Sequence, residues 1–292
     1  MASAPIAQSA DAPAKPSRIS WAAIAWFGAL LFLCYAPILF RMAKQWANDE
    51  NMGHGFFVPI VAGYIAWKRR DLLVATPRNP SMWGLVIVVW AALQALVATL
   101  GAEIFTARLA FVMSLFGVVL FIGGKQWLKI LLFPLLLLLF MIPIPQILYA
   151  RLTLSLQMLA SELGEILISA MGIPVIRTGN LLQLPSQTLD IAEACSGIRS
   201  LLSLGFLSLV YAYFTDNRAW MRVALLIATV PIAIFANGIR VATTGWLSEI
   251  DLKLAQGTYH EMEGYLVFVV ALLALIATHR AISFAARRFG KA

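Results

Sequence analysis

Apolar runs near residues 21–40, 56–67, 82–100, 104–122, 130–150, 197–214, 220–236 and 264–279 follow one another along the chain, parted by short basic clusters. A helix of about 20 apolar residues spans the roughly 30 Å hydrocarbon layer and satisfies its own backbone there. The pattern therefore predicts an all-α, polytopic transmembrane helix bundle of about eight spans. Composition agrees. Of 292 residues 61% are hydrophobic and 12% charged, more apolar surface than a soluble chain of this length can hide. The net charge of +8 does not imply a nucleic-acid partner, because the cations cluster between runs instead of lining one face.

Lys and Arg set the expected orientation. With the N-terminus in the cytoplasm, fourteen of the 22 fall inside, seven fall outside, and Arg108 lies within a span. This predicts that both termini are cytoplasmic. Residues 1–20 are polar and rich in Ala, Pro and Ser, and are expected to form a disordered cytoplasmic tail, not a cleavable signal. Residues 21–280 are expected to form the transmembrane domain, and residues 281–292 a basic cytoplasmic tail. Pro143 and Pro145 should end or kink the fifth run near the outer interface. Beyond them, Arg151 to Gly172 has helical apolar spacing and predicts an amphipathic helix on the outer surface. Residues 173–192 predict extended structure or a short hairpin leading into a cysteine.

Under that topology several reactive groups collect at one face. His54 precedes the second run and Cys195 opens the sixth. Asn237-Gly238-Ile239-Arg240 closes the seventh, and His260 precedes the eighth. Cys195 stands in Glu193-Ala194-Cys195-Ser196-Gly197-Ile198-Arg199, where a helix start and a nearby cation favour the thiolate. A free cysteine is otherwise a small buried hydrophobe. Arg240 suits stabilisation of a thiolate or an oxyanion, against the plainer role of a snorkelling anchor. His260, followed by Glu261, suits a general base and acid, against that of a hydrogen-bonded interfacial side chain. Arg199, four residues past Cys195, faces the same side of its helix, to bind substrate or thiolate or to pair with Glu193 or Asp190. Arg108 is expected to snorkel or to pair with Glu103. His54 and His260 fit no local zinc spacing, so neither metal nor cofactor is expected. Cys34, inside the first run, lies at a different depth from Cys195, which argues against a disulfide.

At these residues the chain resembles the exosortase/archaeosortase family of membrane cysteine proteases. The resemblance rests on Asn51-x-x-His54-Gly55 with Pro59, Met141-Ile142-Pro143-x-Pro145, the Cys195 box, Asn237-x-x-Arg240 and His260-Glu261-x-x-Gly264. It implies an outer-face site of Cys195, Arg240 and His260, supported by His54, Glu193, Ser196, Arg199, Asn237 and Glu261. It implies a bacterial inner-membrane enzyme with its site facing the periplasm. Its partners would be secreted proteins ending in a Pro-Glu-Pro motif, a transmembrane helix and a basic tail. These would be cleaved and passed to an acceptor such as a glycan or lipid. The short C-terminal tail fits a compact subgroup such as exosortase B. Two other classes are open on the residues alone: a transporter or flippase for lipid-linked glycan, which needs no thiol, and a non-catalytic assembly subunit.

Overall fold

The computed structural model describes residues 21–191, 197–253 and 257–288, with the side chains of residues 21, 23, 24, 50 and 257–261 outside that description. The expected tail at residues 1–20 lies outside it too. The described elements are α1 (Trp21–Asn48), a 3-10 helix (Glu50–Phe56), α2 (Phe57–Lys68), α3 (Arg70–Ala75), α4 (Met82–Leu100) and α5 (Ile104–Leu137). A short 3-10 turn (Leu138–Met141) leads to α6 (Gln146–Ala170), strands β1 (Ile176–Thr178), β2 (Leu181–Gln183) and β3 (Thr188–Asp190), then α7 (Ile198–Thr215), α8 (Ala219–Ile250) and α9 (Gly257–Arg288). Among the described residues six helical stretches are long and apolar enough to cross a membrane, so the chain is an all-α, multi-pass membrane protein.

Six differs from the expected eight for two local reasons. The stretch Ile104–Met141 is 38 residues long, about 57 Å of helix against about 30 Å of hydrocarbon. It breaks at Gly124, where φ is 76° and ψ is −169°, a conformation open to glycine because it has no Cβ. The expected runs 104–122 and 130–150 thus lie in one continuous stretch with a break. Its second half stops at Met141, where Ile142 turns extended ahead of Pro143. The run at 56–67 is α2, whose 12 residues rise only about 18 Å.

The described helices fall into two compact units, one built from the chain up to Phe40 with Val61–Leu136, the other from Arg41–Ile60 and the chain from Leu137. In the first, Tyr35 of α1 reaches α5, its hydroxyl 2.7 Å from Ser114 Oγ, and Ala91 of α4 joins Tyr35 and Ala110 in a buried cluster. Arg69 donates to the Ile130 carbonyl at 2.9 Å, fastening the end of α2 to the second half of α5. Glu103 caps α5 by accepting from the backbone N–H groups of Phe105 and Thr106 at 3.1 and 2.6 Å. Arg108 is only 5% exposed, and of its two expected roles the structure supports the electrostatic pairing with Glu103.

In the second unit α8 is central. Its residues Gly238, Val241, Ala242 and Gly245 are buried, and α6 packs along them through Leu163, Gly164 and Ile168. The three strands form an antiparallel meander in the order β1-β2-β3, placing Leu182, Leu184 and Leu189 in one cluster with Ala160 and Ile168 of α6 and Val241 of α8. The expected amphipathic helix is α6, and it buries Gln157, Ala160, Ser161, Gly164 and Ile168. Leu204 and Ala212 of α7, Met221 and Leu225 of α8 and Ala271 and Leu275 of α9 make a second core.

One end of this unit is closed by a polar network. Asp216 accepts from Arg218 Nε at 3.0 Å and Nη2 at 2.6 Å, lies 3.5 Å from His279 Nε2, and Tyr211 Oη sits 3.0 Å from His279 Nδ1. The Arg218 guanidinium holds the Asp216 carboxyl well below the usual carboxylate range. The unfolded chain therefore takes up this proton first as pH falls, and the stabilisation present above about pH 4 is lost below it. Asp216→Asn should lower stability at pH 7 by about 2 kcal/mol. Thermal unfolding in micelles should show wild type and variant converging below about pH 4.

Candidate functional site

The Asp216 network fixes a reference level from which the other end of the unit can be measured. Arg240 lies 21 residues along α8 from Ala219, a rise of about 32 Å, and the 18 residues of α7 rise about 27 Å back to its start at Ile198. Both distances match one hydrocarbon thickness. The start of α7 and the middle of α8 therefore stand together at the end of the unit opposite the Asp216 network.

The N-cap of α7 is Gly197, with φ 70° and ψ −23°. This left-handed conformation suits glycine, and a Cβ there would lie 2.9 Å from Asn237 Nδ2. Asn237, 5% exposed on α8, is thus pressed against the turn that opens α7. One helical turn further, the Arg240 guanidinium lies over Gly264 of α9. A Cβ at Gly264 would sit 3.2 Å from Arg240 Cζ and Nη2, so the missing side chain is what admits the guanidinium. Arg240 is half-buried and its Nε has no access to solvent.

Sequence reasoning placed Asn237 and Arg240 at the end of their helix. They lie inside α8, which continues ten residues beyond Arg240 to Ile250. The apolar run ends near 236, but the helix does not, because α6 and the meander bury the small residues beyond it. His260 was expected before the last helix; α9 starts at Gly257, so His260 stands in its first turn. The imidazole of His260 and the side chain of Glu261 lie outside the described residues. So do Glu193, Cys195 and Ser196.

His54 sits in a seven-residue 3-10 helix capped by Asp49, which accepts from Asn51 N at 3.0 Å. Runs of that length are uncommon and mark local constraint. Trp46 supplies it here, donating from Nε1 to the Met141 carbonyl at 2.9 Å and stacking edge-on against Phe56. The His54 ring packs 6.4 Å from Phe206 of α7. Burial pushes its pKa down, with backbone groups of Phe140 and Asn51 partly opposing. Arg199 is exposed in the first turn of α7, and the Tyr149 hydroxyl of α6 feels its charge and that of Asp49.

One polar contact at this end was missed from the sequence. Thr244 Oγ1 donates to Glu263 Oε2 at 2.8 Å, both side chains buried. Glu263 reads in the sequence as an ordinary interfacial carboxylate ahead of an apolar run. No local signal marks the contact, because Thr244 lies on another helix. Among the described residues no group of three His, Cys, Asp or Glu is placed to hold a metal ion.

A family model described as transmembrane exosortase (Exosortase_EpsH) matches residues 46–277 of the chain. No curated protein and no solved structure matches.

The packing of Gly197 on Asn237 can be tested without any activity. Gly197→Ala should cost about 1–3 kcal/mol through the strained φ and the clash. Adding Asn237→Ala should recover the part due to the clash, measured as a non-additive thermal double-mutant cycle.

Proposed function

The chain belongs to the transmembrane exosortase family, and from that premise we propose that it is a membrane-embedded cysteine endopeptidase or transpeptidase. Its substrates are secreted proteins whose C-terminus carries a Pro-Glu-Pro motif, a transmembrane helix and a basic tail. It works at the outer face of the bacterial inner membrane, with both termini in the cytoplasm. The excess of Lys and Arg on the side assigned to the cytoplasm supports that orientation.

The observation that carries this reading is the pair of close approaches at one interface, Gly197 on Asn237 and Arg240 on Gly264. Two peptide links separate Cys195 from Gly197, a reach of about 7 Å. His260 stands one helical turn before Gly264. These neighbourhoods in the chain support a site that combines sulfur, guanidinium and imidazole, the parts that thiol-based acyl transfer needs.

In this mechanism the Cys195 thiolate attacks the scissile carbonyl carbon. A C–S bond forms and the carbonyl electron pair moves to oxygen. Arg240 stabilises the thiolate or that oxyanion, a contribution worth about 10²–10³ in rate for a single donor. The pair then returns, the C–N bond breaks, and His260 gives its proton to the leaving amine, leaving a thioester. Water, or an acceptor amine or hydroxyl, attacks the thioester while its proton passes to His260, and the thiolate is released. Asn237 braces the Gly197 turn. His54, Glu193, Ser196, Arg199 and Glu261 support the site or the substrate. A substrate helix already in the bilayer delivers its cleavage site at a fixed depth, which raises its effective concentration.

Cys195→Ala should leave substrate uncleaved while the protein inserts normally and accumulates to wild-type level, read by immunoblot of substrate and enzyme. Normal processing would rule out the covalent mechanism, and function surviving Cys195→Ser would favour glycan transport instead. Gly264→Ala separates chemistry from stability. Alanine should favour the helix by up to about 1 kcal/mol. It should nonetheless cut processing at least tenfold by displacing the guanidinium.

A further inference from the structure

The turn between α4 and α5 stands over a cleft that the mechanism above leaves unused. Ala102 has φ 54°, a left-handed conformation uncommon outside glycine, and Glu103 N donates back to the Ala98 carbonyl at 2.8 Å. The turn thereby returns Glu103 to the end of α4. A cleft of about 490 Å³, within the range of small-ligand sites, follows one face of α4 through Trp90, Leu93 and Val97. From Trp90 to Gly101 the chain rises about 16 Å, about half of the hydrocarbon layer. The cleft is thus one leaflet deep, apolar along its length and polar at its interfacial end.

The open polar atoms at that end are acceptors. Gln94 is the one amide side chain in the apolar run of α4, where a polar group is costly. It donates from Nε2 to the Thr106 carbonyl at 3.3 Å, which leaves Oε1 to accept. Glu103 accepts from the N–H groups of Phe105 and Thr106, and its exposed carboxylate keeps lone pairs for a further donor. Hydrogen bonds from Thr106, its side chain first, hold the Glu103 carboxyl below the usual carboxylate range, so it is charged at neutral pH. Arg108, buried further along α5, acts on that charge through space. Among the described residues no cation is in ion-pair contact with it. An occupant that matches both ends has an apolar chain and a positively charged hydrogen-bond donor. An anionic headgroup is repelled here, and a quaternary ammonium has no N–H to give.

We propose that this cleft is a lipid site, filled by an acyl chain of a phospholipid whose primary ammonium headgroup donates to Glu103 and Gln94. Neither the cleft nor its ligand rests on the peptidase reading. Full-length protein is released for native mass spectrometry from nanodiscs holding equal parts of phosphatidylethanolamine, phosphatidylcholine and phosphatidylglycerol with the same chains. Phosphatidylethanolamine should be retained over each of the others about fivefold, the scale of an interfacial ion pair. Glu103→Gln should abolish the preference, and Glu103→Asp, which keeps the charge, should keep most of it. Val97→Trp fills the cleft without touching its polar end and should lower retention of phosphatidylethanolamine to that of the others. Phosphatidylethanolamine carrying a photoreactive chain should cross-link within residues 90–106. Equal retention by wild type, a preference for phosphatidylglycerol, or cross-links confined to other segments would overturn the proposal. So would a preference unmoved in Glu103→Gln, whose fold is checked by thermal unfolding because Glu103 also caps α5. Should that variant fail to fold, unchanged retention in Val97→Trp would overturn it instead. Loss of substrate processing in Val97→Trp with lipid retention unchanged would put a substrate segment in the cleft and overturn it too.

Discussion

Thirty-two residues of α8 rise about 48 Å, and a hydrocarbon layer of about 30 Å cannot hold them. The surplus has to be buried by protein. Gly238, Ala242 and Gly245 give that part of the helix a low profile, and α6 and the strand meander close over it. Arg240 stands about 32 Å along α8 from Ala219, about one hydrocarbon thickness. A guanidinium at mid-membrane costs several kcal/mol, whereas at an interface with polar partners it is tolerated and available for chemistry. The length of one helix thus sets how far Arg240 stands from the Asp216 end.

The two ends of the second unit differ in how they use polar groups. At one end Asp216, Arg218, His279 and Tyr211 satisfy one another in a compact network. Such a network ties three helices together and suits a structural role. At the other end, glycines at 197 and 264 bring Asn237 and Arg240 against bare backbone, and Thr244 and Glu263 join across the same pair of helices. Rigid backbone surfaces of this kind hold a side chain to a narrow range of positions.

Much of this was legible in the residues, and the failures have physical causes. Pro143 and Pro145 announced the end of a helix, which stops at Met141. The region before the Cys195 box read as extended and is a three-stranded meander. Hydropathy marks where lipid contact ends, not where a helix ends, so Asn237 and Arg240 were set at a helix terminus that lies at Ile250. The adjacent glycines 123 and 124 were the sign of a break within a continuous helical stretch, but two separate runs were counted there. That Asn237 meets Gly197, and that Arg240 meets Gly264, depends on packing between segments far apart in the chain and has no local signature. Glu263 escaped notice because its partner, Thr244, lies on another helix.

The proposal that Cys195 and His260 meet at the outer face of the membrane is tested most directly by bridging them. His260→Cys in a Cys34→Ser background leaves two thiols, and a short membrane-impermeant bis-thiol reagent can be added to intact spheroplasts from outside. An intramolecular bridge between residues 195 and 260, identified by mass spectrometry of the linked peptides, is the predicted result. A correctly inserted protein that yields no bridge from outside, but does when the reagent is admitted to the cytoplasm, would contradict it.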